Sequence, residues 1–467
     1  LPNHDYPFNI YSNQFDWPVT IGRCFMTVTT GISSFFTLPW LNGLLAVLYI
    51  SLAVPFVIDL FDFKRTIPII LCSFLFVSYP AFTDTAGYIC LEDGFMLALL
   101  ISVIGVWFWY KKRGWGRVVA AALCLCFAAG VYQAYVAVAI CLILVRLVLD
   151  VIQEKSDNKR FLIDAGSAAL AGGVGMALYY ACLMIIMSLT HTGFGTYMAV
   201  NEASVPTPAK AAGTLVKVFD EFVTFLVGTN SEFTAYEIFN IIFVLLFVVA
   251  FVAVIIRRKI YKHKLQFALL FVMGFLFVPG AYIFEFASEE VVYRFMMLYG
   301  VVFLYMLLIK VADEFLQGWF ATVVAALSFV IAFNFAVIDN IAYENLNLCW
   351  EQTLATATMM EERITSVDGY SPDMQLMVQG TMQDEGRDWL RDRLPRELVG
   401  ANDVNLMRDQ SFIQPLLKTE LGFTTDGVDE DMRNSIISSD EYLNMPVWPA
   451  GGSVKNIQGA IVVKLSD

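Results

Sequence analysis

Apolar stretches of about twenty residues recur along this chain, each long enough to cross the hydrocarbon core of a bilayer as a helix. Lipid offers no water to satisfy backbone N–H and C=O groups, so only helices and closed barrels can span it. The runs are continuous and lack the ten-residue alternation of barrel strands, which selects helices. Composition agrees: 58% of the 467 residues are hydrophobic, 16% are charged, and mean hydropathy is +0.64, far from the balance of a water-soluble chain of this length. About ten spans are expected, near residues 38–61, 66–81, 94–110, 116–131, 134–152, 161–189, 237–256, 265–284, 292–311 and 318–340. The chain begins with Leu1 and shows no basic leader, so an earlier helix is expected upstream, giving about eleven spans.

The basic clusters fall in alternate connecting loops: Lys64 and Arg65, then Lys111 to Arg117, then Lys155, Lys159 and Arg160, then Arg257 to Lys264. The positive-inside rule assigns that side to the cytoplasm. The expected outward side then collects the first stretch (1–37), 84–93, 190–236, 285–290 and everything after about 341. The fold class expected is a polytopic α-helical membrane protein, with a membrane domain over 1–340 and an extracytoplasmic α/β domain over 341–467. That last part carries 21 acidic and 10 basic residues of the chain's formal net charge of −13. Such acidity argues for a solvated outer face and against nucleic acid as a partner. Within it Leu376-Met377-Val378 and Ile461-Val462-Val463 read as strands, among helical stretches near 346–366, 383–393 and 436–444.

The candidate site lies on the expected outward side. The first stretch holds His4 and Asp5, followed by a segment from Thr20 in which Ile21, Cys24, Phe25, Val28, Ile32, Phe35 and Phe36 recur at helical spacing and Arg23 is the one cation. An amphipathic helix on the membrane surface is expected there. Asp84, Glu92 and Asp93 come at the mouth of the bundle, where a carboxylate can activate a hydroxyl or, with Asp5, bind a divalent cation such as Mg2+ or Mn2+. Tyr293 and Arg294 are expected about one turn inside a span, a depth at which a charge usually faces a cavity and its partner. A guanidinium suits bidentate phosphate binding. Tyr132, at a turn between two spans, is a candidate sugar contact. A second amphipathic segment, Leu215, Val218, Phe219, Phe222 and Leu226, lies in the 190–236 loop.

Other signals are weaker. Five of eight cysteines fall within spans, where a thiol packs as a small hydrophobe. Cys24, Cys90 and Cys349 are expected on the oxidising side, so one disulfide among them is open. CxxC, HExxH, Walker and dinucleotide patterns are absent from the sequence. Gly166, Gly172, Gly173 and Gly175 have the spacing of close helix packing.

His4-Asp5, the Gly22-Arg23 pair, Tyr293-Arg294 and the run Met445-Pro446-Val447-Trp448-Pro449-Ala450-Gly451-Gly452-Ser453 before a closing strand together resemble the GtrII-type glucosyltransferases, bacterial GT-C-fold enzymes. The resemblance implies an integral membrane enzyme of the bacterial cytoplasmic membrane that takes a sugar from a polyprenyl-phosphate donor, with its active site facing outward. It implies Asp5 as general base, with Arg23 and Arg294 on the leaving phosphate, and a surface glycan or lipid-linked glycan as acceptor. Membrane lipid is the surrounding partner. A polysaccharide polymerase or ligase, and a transporter of lipid-linked glycans, are the alternatives; a transporter predicts internal repeats and charges near the midplane, which the sequence does not display.

Overall fold

The computed structural model describes residues 3, 5–8, 17–155, 157–198, 206–228, 234–288, 290–382, 388–401 and 405–467. The chain forms two compact units: Ser12–Ile341 with Asp392–Gly400, and Leu1–Tyr11 with Ala342–Arg391 and Ala401–Asp467.

Nine helices among the described residues are long and apolar enough to cross a membrane: Pro39–Phe61, Thr66–Ala86, Glu92–Lys111, Tyr135–Ile152, Asn158–Thr190, Ala235–Arg257, Lys264–Ala281, Phe295–Leu316 and Gly318–Thr365, the last continuing from the first unit into the second. Trp115–Val131 is a shorter apolar helix. Local chemistry sets several starts. Pro39 opens its helix at a position where a missing N–H costs nothing. Asp157 accepts from Arg160 N at 2.8 Å, and Thr234 with Glu237 forms a reciprocal capping box before Ala235–Arg257. Gly318–Thr365 runs for 48 residues, so the separate helices expected at 318–340 and 346–366 are one element; no proline or glycine interrupts the sequence between them.

Glu92–Lys111 packs against both Pro39–Phe61 and Trp115–Val131, and the latter packs on Asn158–Thr190. Small residues permit the approach: a Cβ at Gly105 would lie 2.9 Å from Cys124 Cβ, and one at Gly175 would lie 2.9 Å from the Ala122 carbonyl. Gly166, Gly172 and Gly173 have nothing within 4 Å of such a Cβ, so of that glycine series Gly175 alone makes a close crossing. Tyr135–Ile152 and Phe295–Leu316 are almost wholly buried and form the centre of the bundle.

Two expectations are corrected. The segment after Thr20 is not one amphipathic helix. Trp17–Thr20 and Met26–Thr30 are short helices separated by a turn in which Gly22 has φ +85°. Val28, Ile32 and Phe36 are exposed, whereas Thr29, Thr30 and Ser33 are buried and donate to backbone carbonyls at 2.7–3.2 Å. From Met26 on, Val28, Ile32 and Phe36 therefore face outward, as lipid would require, and the hydroxyls face in, while Ile21 and Cys24 of the expected stripe are buried. Arg294, in turn, does not lie inside a helix; it is extended and immediately precedes the 3-10 turn Phe295–Val301.

The end bearing the basic loops is closed by a buried charge network. Arg146, 1% exposed, donates to Asp150 one helical turn on, to Leu60 O at 2.7 Å and to Gln153 Oε1 at 3.0 Å. Its guanidinium lies 4.6 Å from the Tyr110 ring centroid, and Tyr110 donates to Asp150 at 3.1 Å. Gln153 donates to Glu314 at 2.8 Å, and Lys310 pairs with Glu314 at 2.8 Å.

In the second unit a three-stranded sheet has the order Leu376–Gln379, Ala460–Lys464, Val454–Ile457. The first pair is parallel, with Met377 opposite Val462, and the second antiparallel, with Lys455 opposite Val462. Side-chain alternation builds two cores. Leu376, Val378, Ile461 and Val463 pack with Met360, Ile364, Leu416 and Leu417 on one face. Met377 and Val462 pack with Ile436, Tyr442 and Met445 on the other. Both expected strands are present; Val454–Ile457 is the strand that sequence reading did not single out.

The buried pair yields a stability prediction. Arg146→Ala leaves Asp150 buried without its cation and should cost about 3–5 kcal/mol, whereas the double variant Arg146→Met/Asp150→Leu should recover most of that loss. Thermal unfolding in one detergent, compared across wild type, single and double variants, measures both.

Candidate functional site

The turn at Gly22-Arg23 is held by one side chain from the turn after Trp115–Val131 and one from the helix Asn158–Thr190. Gln133 Nε2 donates to Ile21 O at 2.8 Å, and Tyr179 Oη donates to Gly22 O at 2.9 Å. A Cβ on Gly22 would lie 2.5 Å from Tyr179 Oη, so the positive φ and the close approach both require glycine here. Phe25 N donates to Gly130 O at 2.7 Å, and Gly195 N to Thr20 O at 2.9 Å.

This turn carries Arg23 onto an aromatic wall. The guanidinium carbon lies 5.2 Å from the Phe95 ring centroid and 4.9 Å from that of Tyr132, and these rings stack at 4.2 Å. Two such contacts contribute about 0.5–2 kcal/mol each. Among the described residues Arg23 has no carboxylate partner. Arg294 is seated similarly: it donates to Tyr88 Oη and lies 5.3 Å from the Tyr88 ring centroid, and its Nη2 is 3.5 Å from Tyr197 Oη. Tyr197 also meets Trp17, three residues before the Thr20 carbonyl, with ring centroids 5.5 Å apart. Both cations are thus seated on aromatic side chains, at the end opposite the basic loops.

The acids divide between settings. Asp84 is fully buried, and its oxygens accept from Met296 N at 2.9 Å and Gly400 N at 2.5 Å. It fastens the Phe295–Val301 turn and the Asp392–Gly400 segment, and a Cβ at Gly400 would overlap the Asp84 carbonyl. Glu92 and Asp93 are buried in the first turn of their span. A Cβ on Gly43 would lie 3.4 Å from Glu92 Oε1, and Asn42 is the polar side chain beside Asp93, so both acids face the Pro39–Phe61 helix.

Asp5 lies in the other unit, where its N–H donates to Asn3 Oδ1 at 3.1 Å. Its neighbour Tyr6 meets Trp350 edge-on at 5.6 Å and hydrogen-bonds Glu420, while Phe8 meets Phe412 at 5.3 Å. His4 lies outside the described residues. Tyr293 has a structural hydrogen bond: its hydroxyl accepts from Phe284 N at 3.1 Å. Among the described residues no three His, Cys, Asp or Glu side chains are grouped as a metal-ligand set. Cys24, Cys90 and Cys349 are buried, and among the described residues none of the eight cysteines is in a disulfide.

Sequence reading missed Glu397. Its carbonyl accepts from Phe295 N at 2.8 Å, next to Arg294, and its Oε2 is buried without a hydrogen-bond partner among the described residues. Burial pushes this carboxyl up to about 7; its own backbone amide and Arg396 oppose the rise, and Glu237 and Asp84 add to it. It sits in a charged run, Arg391 to Glu397, that reads as solvated surface; Pro395 and Gly400 are the only local hints of a fixed turn.

The fold is that of a multi-pass helical membrane protein with a cationic, aromatic cluster at one end. The chain belongs to the GtrII glucosyl transferase family: the family model described as Glucosyl transferase GtrII matches residues 1–305, which include Arg23, Tyr132 and Arg294. Membership makes it a membrane glycosyltransferase, working between a sugar donor and an acceptor. No curated protein and no solved structure matches the chain.

Asp84 should prove an anchor. Asp84→Ala strands two buried amides and is expected to cost about 2–4 kcal/mol, while Asp84→Asn, which keeps one acceptor, should cost about half as much. Thermal unfolding in detergent separates the two.

Proposed function

We propose that the protein is an inverting GT-C-type transferase that moves a hexose, glucose by family, from a polyprenyl-phosphate donor to a surface or lipid-linked glycan on the outer face of the bacterial cytoplasmic membrane. The observation that carries this reading is the seating of Arg23 on the rings of Phe95 and Tyr132 and of Arg294 on Tyr88, within a family of glucosyl transferases. A guanidinium suits phosphate oxygens by its planar donor fork, and Tyr132 offers a ring edge for sugar.

In the proposed reaction a carboxylate takes the proton of an acceptor hydroxyl. The freed oxygen attacks the anomeric carbon, the bond from that carbon to the phosphate oxygen breaks, and polyprenyl phosphate leaves with its new charge on the two guanidiniums. One displacement inverts the anomeric centre. Asp5 is the base by family resemblance. Glu397 is a second reading, favoured by its unpartnered buried oxygen and a pKa near the working pH. Asp93, and Glu92 as a substrate contact, stay candidates beside these two, both buried against the Pro39–Phe61 helix.

The test is sugar transfer by purified protein in nanodiscs from polyprenyl-phosphate glucose to an acceptor glycan. Arg23→Ala and Arg294→Ala should each lower transfer about ten- to a thousandfold, and wild-type rates from both would overturn the phosphate assignment. Asp5→Asn should bind donor yet lose about a hundred- to ten-thousandfold in rate.

A pH profile separates the two bases. A general base works ionised, so if Glu397 acts, wild-type rate should rise through pH about 7 and level above it, and Glu397→Gln should remove that limb. If the limb survives in Glu397→Gln, the base lies elsewhere and Asp5→Asn is the inactive variant. EDTA treatment with Mg2+ or Mn2+ add-back in the same assay tests a divalent cation: loss and recovery would put one with the phosphate.

A further inference from the structure

At the opposite end of the membrane unit, the Lys111–Gly114 loop and the starts of Trp115–Val131 and Asn158–Thr190 enclose a cleft of about 820 Å3. Five cations line it, Lys111, Lys112, Arg113, Arg117 and Arg160, against one acid, Asp164. That acid is already engaged, by Arg117 at 2.6 Å and Arg160 at 3.7 Å, and it holds both guanidiniums at the rim. Lys111 is paired with Asp59 at 2.9 Å. Among the described residues Lys112 and Arg113 have no carboxylate partner, so the cleft carries an unbalanced positive charge.

Beneath the charged rim the same cleft turns apolar. Ile163, Gly166 and Leu170 follow one another along a face of their helix, and Ile163 and Leu170 are exposed. Gly166 leaves open space where a side chain would stand. Trp115, 77% exposed at the edge, is the residue type that sits at a membrane interface. We infer that this cleft binds an anionic phospholipid, its phosphate headgroup among Lys112, Arg113 and Arg160 and an acyl chain along Ile163, Gly166 and Leu170. Charge alone would suit any soluble phosphate; the apolar floor selects an amphiphile. Basic pockets between membrane helices are suited to such headgroups, and no step of the transfer reaction uses these residues, so the inference stands apart from the proposed function.

The test uses the full chain purified in detergent with a zwitterionic lipid, titrated with phosphatidylglycerol, phosphatidylcholine or inorganic phosphate, and read by native mass spectrometry and thermal unfolding. Phosphatidylglycerol should bind and raise the unfolding temperature, and the other two should not. Lys112→Gln/Arg113→Gln should weaken phosphatidylglycerol binding about tenfold at low salt, less as salt is added. Gly166→Leu should weaken it with every charge kept. Arg65→Gln, which removes a cation at the same end outside the cleft, paired with Asp313 at 2.9 Å, should leave binding unchanged. Unfolding in zwitterionic lipid alone checks that each variant is folded. Equal binding by wild type and the double variant overturns the site. An equal loss in Arg65→Gln reduces it to general surface charge, and a matching shift from inorganic phosphate overturns the lipid assignment.

Discussion

Backbone polar groups cannot be left unpaired in lipid, and this constraint governs both the regular and the irregular parts of the membrane unit. Spanning segments meet it with helical hydrogen bonds. Where the chain leaves the helix, other groups must take over. At the Gly22 turn these are Gln133 and Tyr179, at the start of Phe295–Val301 Asp84 and the Glu397 carbonyl, and near Phe284 the Tyr293 hydroxyl. Except for Tyr293, nine residues from Phe284, each staple reaches across from a distant part of the sequence, so those breaks are fixed by the packing of whole helices rather than by local propensity.

The staples also explain why the cations sit where they do. A continuous amphipathic helix would present Arg23 wherever the helical period put it. The broken one turns at Gly22 and sets the guanidinium against the stacked rings of Phe95 and Tyr132. Asp84 likewise holds the amide of Met296, two residues beyond Arg294, and so sets the point at which that cation leaves the backbone. A carboxylate that looks like a catalytic acid in the sequence thus acts through the backbone it anchors.

Much of the architecture was legible because lipid imposes a length and a composition on whatever crosses it. The apolar runs mark where helices form, and the strands at 376–379 and 460–464 show as short apolar runs. The breaks were hidden. Periodicity from Ile21 to Phe36 is compatible with one helix, and only the contact of Gly22 with Tyr179, 157 residues away, shows why the chain must turn. Arg146 and Asp150 read as one more apolar span because four residues of spacing on a helix let the charges neutralise each other. Glu397 was hidden for the opposite reason: its charged neighbours suggest solvent, but Leu394, Pro395, Leu398 and Gly400 around it are buried. Charge content predicts exposure only on average, and a segment anchored at both ends can carry a carboxyl inward.

The two ends of the bundle handle positive charge differently, and the difference bears on what each can bind. At the basic end the loop cations Lys112 and Arg113 line an unbalanced cleft, whereas Arg146, Lys310 and Arg117 are matched by Asp150, Glu314 and Asp164. An anion meeting such a cation must displace a carboxylate that already satisfies it, which offsets most of the Coulombic gain. Arg23, by contrast, is held by ring faces, which orient a guanidinium without neutralising it. Among the described residues its charge has no carboxylate partner. Geometry and electrostatics are thereby separated at this turn: stapled backbone and aromatic rings fix the position of the cation without a described carboxylate to hold it.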